Sequence, residues 1–95
     1  MKQYFVYILL CRDNSYYTGI TSNLKQRIEE HQSGKYSDSY TYKRRPVKLE
    51  FYHSFNEVND AILFEKRIKK WSKAKKVALI NSEYHKLPNL AKKKF

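Results

Sequence analysis

The sequence predicts a small α/β domain of the α+β kind. Its sheet has three strands, mainly antiparallel, and is flanked by helices in the order β-β-α-β-α-α. Three observations carry that expectation. Two strand-like runs, Tyr4 to Leu10 and Tyr16 to Thr21, are joined by a short polar turn. A third strand-like run, Val47 to Ser54, follows a helical pattern. Two further segments repeat apolar residues at three- and four-residue steps, as amphipathic helices do.

Tyr4 to Leu10 is apolar and aromatic without interruption, so both faces of that strand are expected to be buried and the strand to be central. Arg12-Asp13-Asn14-Ser15 is turn chemistry, because Asp and Asn bond their own backbone and tolerate tight turns. Gly19 interrupts the return strand and marks either a bulge or a close approach of another group. In an unbulged hairpin of suitable register, Tyr7 and Tyr17 share one face.

Ser22 and Asn23 are good N-caps for a helix over Leu24 to Gln32, and Gly34 stands where a left-handed C-terminal cap belongs. Arg27 and His31 are four apart, one residue round from the apolar pair Leu24 and Ile28, and should project together from the edge of the buried face. Ser33 to Pro46 has no regular period. In the third strand, Val47, Leu49, Phe51 and His53 are expected on one face, with Lys48, Glu50 and Tyr52 on the other.

Asn56 is expected to cap a second helix running to about Lys70, with Val58, Ala61, Ile62 and Ile68 as its stripe. Glu65 falls on that stripe. A carboxylate there needs a cationic partner or a metal ion, because an unpaired buried charge costs several kcal/mol. Ser72 caps a third helix, expected to turn Ala74, Val77, Ala78 and Ile80 inward and Lys73, Lys75 and Lys76 outward. The expected partition is one domain over 1–82 and a basic tail over 83–95.

The formal net charge is +11, of which residues 1–59 carry +3 and residues 60–95 carry +8. A basic face attracts polyanions, nucleic acid above all, although a solvated lysine surface looks the same in composition. The loop adds aromatics interleaved with cations. Tyr36, Tyr40 and Tyr42 stand among Lys35, Lys43, Arg44 and Arg45, a mixture that suits stacking on bases and holding phosphates. Lys69 and Lys73 extend the basic face onto the later helices. The single cysteine, Cys11, excludes an internal disulfide and a thiolate metal cluster. No apolar run approaches a membrane span and the N-terminus lacks a signal-peptide layout, so a soluble cytoplasmic protein is expected.

Tyr7, Tyr17, Arg27, His31 and Glu65 are the candidates for chemistry. Cleaving a phosphodiester requires a base for water, positive charge on the phosphoryl oxygens and help for the leaving oxygen. One glutamate with several waters is an ordinary Mg²⁺ site, and arginine gives the bidentate phosphate contact. A tyrosine base needs its pKa lowered, and Arg27, a metal and His31 are the cations expected to do so.

The combination of Phe5-Val6-Tyr7, Tyr17-Thr18-Gly19, Arg27, His31 and a distant Glu65 resembles the GIY-YIG nuclease domain over roughly Lys2 to Ile80. The stretches Tyr16 to Thr21, Arg44 to Leu49 and Glu65 to Trp71 resemble its small single-domain branch, the UPF0213 or YhbQ-like proteins. The resemblance implies single-metal hydrolysis of DNA, in repair or recombination, with Mg²⁺ or Mn²⁺ on Glu65. RNA stays open as a substrate, as does a binding module of the same fold with weak or no catalysis. It gives Tyr7 and Tyr17 water activation and hydrogen bonding, with Tyr7 favoured as base. Arg27 would hold the scissile phosphate, and His31 would support the base or the leaving group. The chain departs from the pattern in Phe5 for glycine and Thr18 for isoleucine. Asn81 is the candidate for an asparagine that follows the metal glutamate in many relatives. Specificity would come from the basic surface, a protein partner or dimerisation.

Overall fold

The computed structural model describes residues 2–83. Three strands, β1 (Tyr4–Leu10), β2 (Tyr16–Thr21) and β3 (Lys48–Phe55), form one sheet in the order β2-β1-β3. Both pairings are antiparallel. The helices are α1 (Leu24–Ser33), α2 (Val58–Lys69) and α3 (Lys73–Ile80), with a 3₁₀ turn at Tyr42–Arg44. The element order is the expected one. No helix among the described residues is long and apolar enough to cross a membrane.

β1 is central, which explains its two apolar faces. Val6 and Ile8 seed one core cluster with Ala61, Ile68 and Leu79; Tyr7 and Leu9 seed another with Cys11 and Val47. The turn before β2 closes as its sequence suggests. Asp13 Oδ1 accepts hydrogen bonds from the Ser15 backbone N–H and hydroxyl, and Asn14 takes the left-handed conformation at φ 72°. The β1–β2 register is regular and pairs Tyr7 with Gly19 and Leu9 with Tyr17, so Gly19 is no bulge. It is the point of close approach: a Cβ there would lie 2.5 Å from Tyr7 Oη.

The bulge lies instead between β1 and β3. Ile8 faces Phe51 but Leu9 faces Leu49, so Glu50 is the extra residue. One inserted residue reverses which face the following side chains occupy. The expected face is therefore split. Val47 and Leu49 join the Tyr7 cluster, whereas Phe51 and Phe55 join the Val6 cluster.

α1 begins at Asn23, whose side chain accepts from the Gln26 N–H, and ends at Gly34 with φ 75°. α2 departs from expectation in two ways. Its N-cap is Glu57, with no side-chain capping bond, rather than Asn56. Its buried positions are Ala61 and Ile68, with Phe64 packed beside them, while Val58 and Ile62 are exposed. Ala61 is small enough to bring the helix axis close to the sheet, and that seats the stripe one step round from the bulkier residues. In α3, Ser72 caps as expected and accepts from the Lys75 N–H at 3.3 Å. Ala74 is exposed, and Lys75 and Lys76 are buried rather than outward. Long lysine stems cover apolar surface while their ammonium groups seek polar ground or a ring face, and Lys75 lies 4.1 Å over Trp71. The expected tail lies outside the described residues apart from Glu83.

Candidate functional site

The site is built on the Tyr7 face of the hairpin. Tyr7 has no exposed surface, and its ring lies over Gly19, where only a residue without Cβ leaves room. Its hydroxyl lies 2.9 Å from His31 Nε2. The other ring nitrogen, Nδ1, lies 2.8 Å from the Thr41 hydroxyl, which in turn has Ser39 Oγ at 3.1 Å. The result is a buried polar line from β1 through α1 into the loop after it. His31 is 6 % exposed and Thr41 1 %. Neutral imidazole has one donor and one acceptor. With Tyr7 donating to Nε2, Nδ1–H donates to Thr41 and the line is fully satisfied.

Burial governs the titration of this pair. Desolvation, with the neighbouring Tyr17 adding to it, pushes the Tyr7 phenol above its usual range, and the nearby Arg27 pulls the other way without prevailing. Burial and then the Arg27 charge push His31 below its usual value. This corrects the expectation that cations hold Tyr7 low: His31 rests neutral, and desolvation outweighs Arg27.

Tyr17 is half-buried beside them. Its ring centroid lies 6.3 Å from that of Tyr7 and 5.1 Å from that of His31, and Tyr40 stacks on it at 6.0 Å. Tyr17 also lines a cleft with Tyr16, Thr18, Tyr40, Lys69 and Lys76. Arg27 lines a separate polar groove with Asn23, Gln26, Glu30 and Lys35. Its Nε lies 3.2 Å from Glu30 Oε1, and its guanidinium also hydrogen-bonds the Tyr7 side chain.

The basic loop is largely occupied with its own structure. Arg44 pairs with Asp13 at 3.0 Å, donates to the Tyr40 carbonyl and lies 3.8 Å over the Tyr40 ring. Arg45 donates to the carbonyls of Tyr42 and Gln32, the latter at the end of α1 where a cation suits the helix dipole. Lys35 pairs with Glu30, and Lys73 donates to the Asn14 carbonyl. Lys43 is exposed.

Glu65 stands on α2, with its side chain 13 % exposed and Lys69 Nζ at 3.6 Å. α2 packs mainly against β2, the strand of Tyr17. The described residues hold no group of three or more His, Cys, Asp or Glu side chains suited to a metal. A single carboxylate such as Glu65 is the kind of oxygen donor that a hard divalent ion takes, with waters completing its shell. An i,i+4 pair of this kind is worth about 0.3–0.5 kcal/mol, so Lys69 yields readily to such an ion. Asn81 caps the C-terminus of α3 and is exposed; the α3 side chain that lines the Tyr17 cleft is Lys76.

Sequence reasoning named Tyr7, Tyr17, Arg27 and His31, and the fold gathers them. It missed Thr41, Ser39 and Glu30. Thr41 carries no local signal, since a threonine in a polar loop is unexceptional until the loop folds over His31. Glu30, three residues after Arg27 on a helix, had a signal in the spacing.

The family described as the GIY-YIG catalytic domain matches residues 3–78. A UPF0213 protein of Syntrophus aciditrophicus is 45 % identical over 84 % of this chain and 92 % of its own. The UPF0213 protein YazA of Bacillus subtilis is 38 % identical, covering 93 % and 95 %. The solution structure of the UPF0213 protein BH0048 from Bacillus halodurans is similar with a TM-score of 0.55 and 38 % identity over 83 % of both chains. That of EF2693 from E. faecalis gives a TM-score of 0.62 and 30 % identity over 88 % of both.

Proposed function

The chain belongs to the GIY-YIG family of catalytic domains, and from that premise we propose that it hydrolyses nucleic-acid phosphodiesters, DNA first, with the help of one Mg²⁺ or Mn²⁺ ion. The observation that carries this reading is the buried line Tyr7–His31–Thr41, set beside Tyr17 and within the field of Arg27. A tyrosine that served packing alone would not need an imidazole held in one orientation by a second buried hydroxyl.

In the proposed reaction, water gives a proton to Tyr7 Oη as Tyr7 passes its own proton to His31 Nε2. The imidazolium so formed keeps its Nδ1–H on Thr41. Ionising His31 is unfavourable at rest, because burial and the Arg27 charge oppose the imidazolium, and a phosphate bound to Arg27 offsets that charge. Water reaches Tyr7 past the partly exposed Tyr17, which holds it by hydrogen bonding. The Arg27 guanidinium, anchored by Glu30 and Tyr7, takes a phosphoryl oxygen. Glu65 would hold the cation, which supplies charge neutralisation and leaving-group stabilisation when bound. Cutting of this kind serves repair or recombination.

The second reading is a nucleic-acid-binding module with weak or no cleavage. It draws on the full burial of Tyr7 and its raised pKa. A metal titration over single-stranded, duplex, flapped and four-way-junction DNA, with wild type, Glu65→Ala and Tyr7→Phe, tests both. Metal-dependent cutting by wild type, lost in Glu65→Ala and reduced about 10²–10⁴-fold in Tyr7→Phe, is the expected result. Salt-sensitive binding without cutting on any substrate refutes the nuclease.

A further inference from the structure

We propose that the cleft beside Tyr17 binds a phosphate of the nucleic-acid strand flanking the one to be cut, and that Lys76 is its cation. The proposal deepens the function proposed above and rests on it for the identity of the ligand.

The cleft measures about 320 Å³, enough for a phosphodiester group, and opens between β2, α2 and α3. Lys76 enters it from α3. Its side chain is buried, with 8 % exposure, yet among the described residues its ammonium has no hydrogen-bond or ion-pair partner. Burial, and then the charge of Lys69, makes its charged form unfavourable. Lys69 pairs with Glu65 at 3.6 Å, and no carboxylate lines the cleft. The Thr18 hydroxyl on the same wall is buried and also lacks a partner.

A lysine serving only solubility extends into water, as Lys69 does with 62 % of its side chain exposed. Lys76 instead lays its stem on covered ground and brings its ammonium to the wall of the cleft beside the like charge of Lys69, an arrangement that an anion relieves. Three tyrosines line the walls, and aromatic rings with cations are the surface that suits a nucleic-acid strand. Tyr17 joins this cleft to the Tyr7–His31 pair, so a strand whose flanking phosphate sits on Lys76 presents its next linkage to them.

The test measures affinity for a labelled single-stranded oligonucleotide across a salt series, with EDTA present so that nothing is cut. Neutralising one phosphate contributes about 0.7 to the slope of log K against log salt for a single strand. Lys76→Met should lose about that much, and Lys76→Arg should keep the wild-type slope. In wild type, inorganic phosphate should shift the backbone amide signals of Tyr17 and Thr18, and Lys76→Met should abolish those shifts. Equal slopes in wild type and Lys76→Met overturn the proposal, as does the absence of phosphate shifts at Tyr17 and Thr18 in wild type. The latter stands even where Lys76→Met fails to fold. The two readings fail separately. A slope difference without metal-dependent cutting refutes the nuclease and leaves the phosphate site; cutting without a slope difference refutes the phosphate site alone.

Discussion

Gly19→Ala is the sharpest probe of how the site is built. A Cβ at position 19 would lie 2.5 Å from Tyr7 Oη, 2.6 Å from Cζ and 3.0 Å from Cε2. Ordinary carbon contacts begin near 3.5 Å, so the ring must retreat by about 1 Å. Tyr7 cannot swing into solvent, because it has no exposed surface. Its hydroxyl is held 2.9 Å from His31 Nε2, and a shift of that size breaks the bond. Overpacking costs about 1–3 kcal/mol and an unsatisfied buried polar group about 1–3 more, giving a loss of about 2–6 kcal/mol. For a domain of this length each kcal/mol moves Tm by about 4–8 °C, so a drop of at least about 8 °C is expected. The sign is informative. At a strand position that alanine tolerates, the same change stabilises by about 0.4–1 kcal/mol through the unfolded chain. Thermal and urea unfolding followed by circular dichroism measure the loss, and the His31 ring ¹⁵N shifts report the broken bond. A Tm at or above wild type with unchanged His31 shifts refutes the argument that Tyr7 is pinned between Gly19 and His31.

Two further outcomes follow from the buried line. Thr41→Val keeps the shape but leaves His31 Nδ1 without a partner, and should cost about 1–3 kcal/mol in urea unfolding; a ring tautomer unchanged by NMR would count against Thr41 as its orienter. His31 should make stability depend on pH. Its folded pKa lies below the ordinary 6.5, so below pH 6.5 the unfolded chain binds a proton that the folded chain still refuses. Stability is therefore full above pH 6.5 and falls as pH is lowered from there towards the folded pKa. His31→Gln should flatten that window, and an equal slope in the variant would place the proton elsewhere.

Much of this architecture was legible in the chain because the signals are local. An unbroken apolar strand reads as central whatever packs on it. Asn23 and Gly34 act within four residues of themselves, so α1 has the expected start and its expected cap. Tyr7 and Tyr17 share a face because strand periodicity and a regular hairpin require it. The faces of β3 were not legible, since the Glu50 bulge is decided by pairing with β1 and leaves no mark on the third strand's own alternation. The roll of α2 was misread for a related reason. Periodicity gives a stripe, but the partner surface selects which edge of it is buried, and Ala61 and Ile68 won over Val58 and Ile62.

The same division holds for the site. Sequence alone determined the kinds of group available: two tyrosines on one hairpin face, an arginine and a histidine one turn apart on the next helix, and a glutamate on an apolar stripe. Tertiary structure decided their states. Burial, not the neighbouring cation, governs Tyr7 and His31, because desolvation depends on what covers a group and no local pattern encodes that. The loop's arginines, which suggest phosphate contacts by composition, fold back onto carbonyls, a carboxylate and tyrosine rings. Lys76, which helical periodicity sends outward, is turned into the cleft by the way α3 docks. Local pattern fixes backbone form and side-chain identity, whereas charge state and partnership depend on distant residues that meet only when the chain is folded.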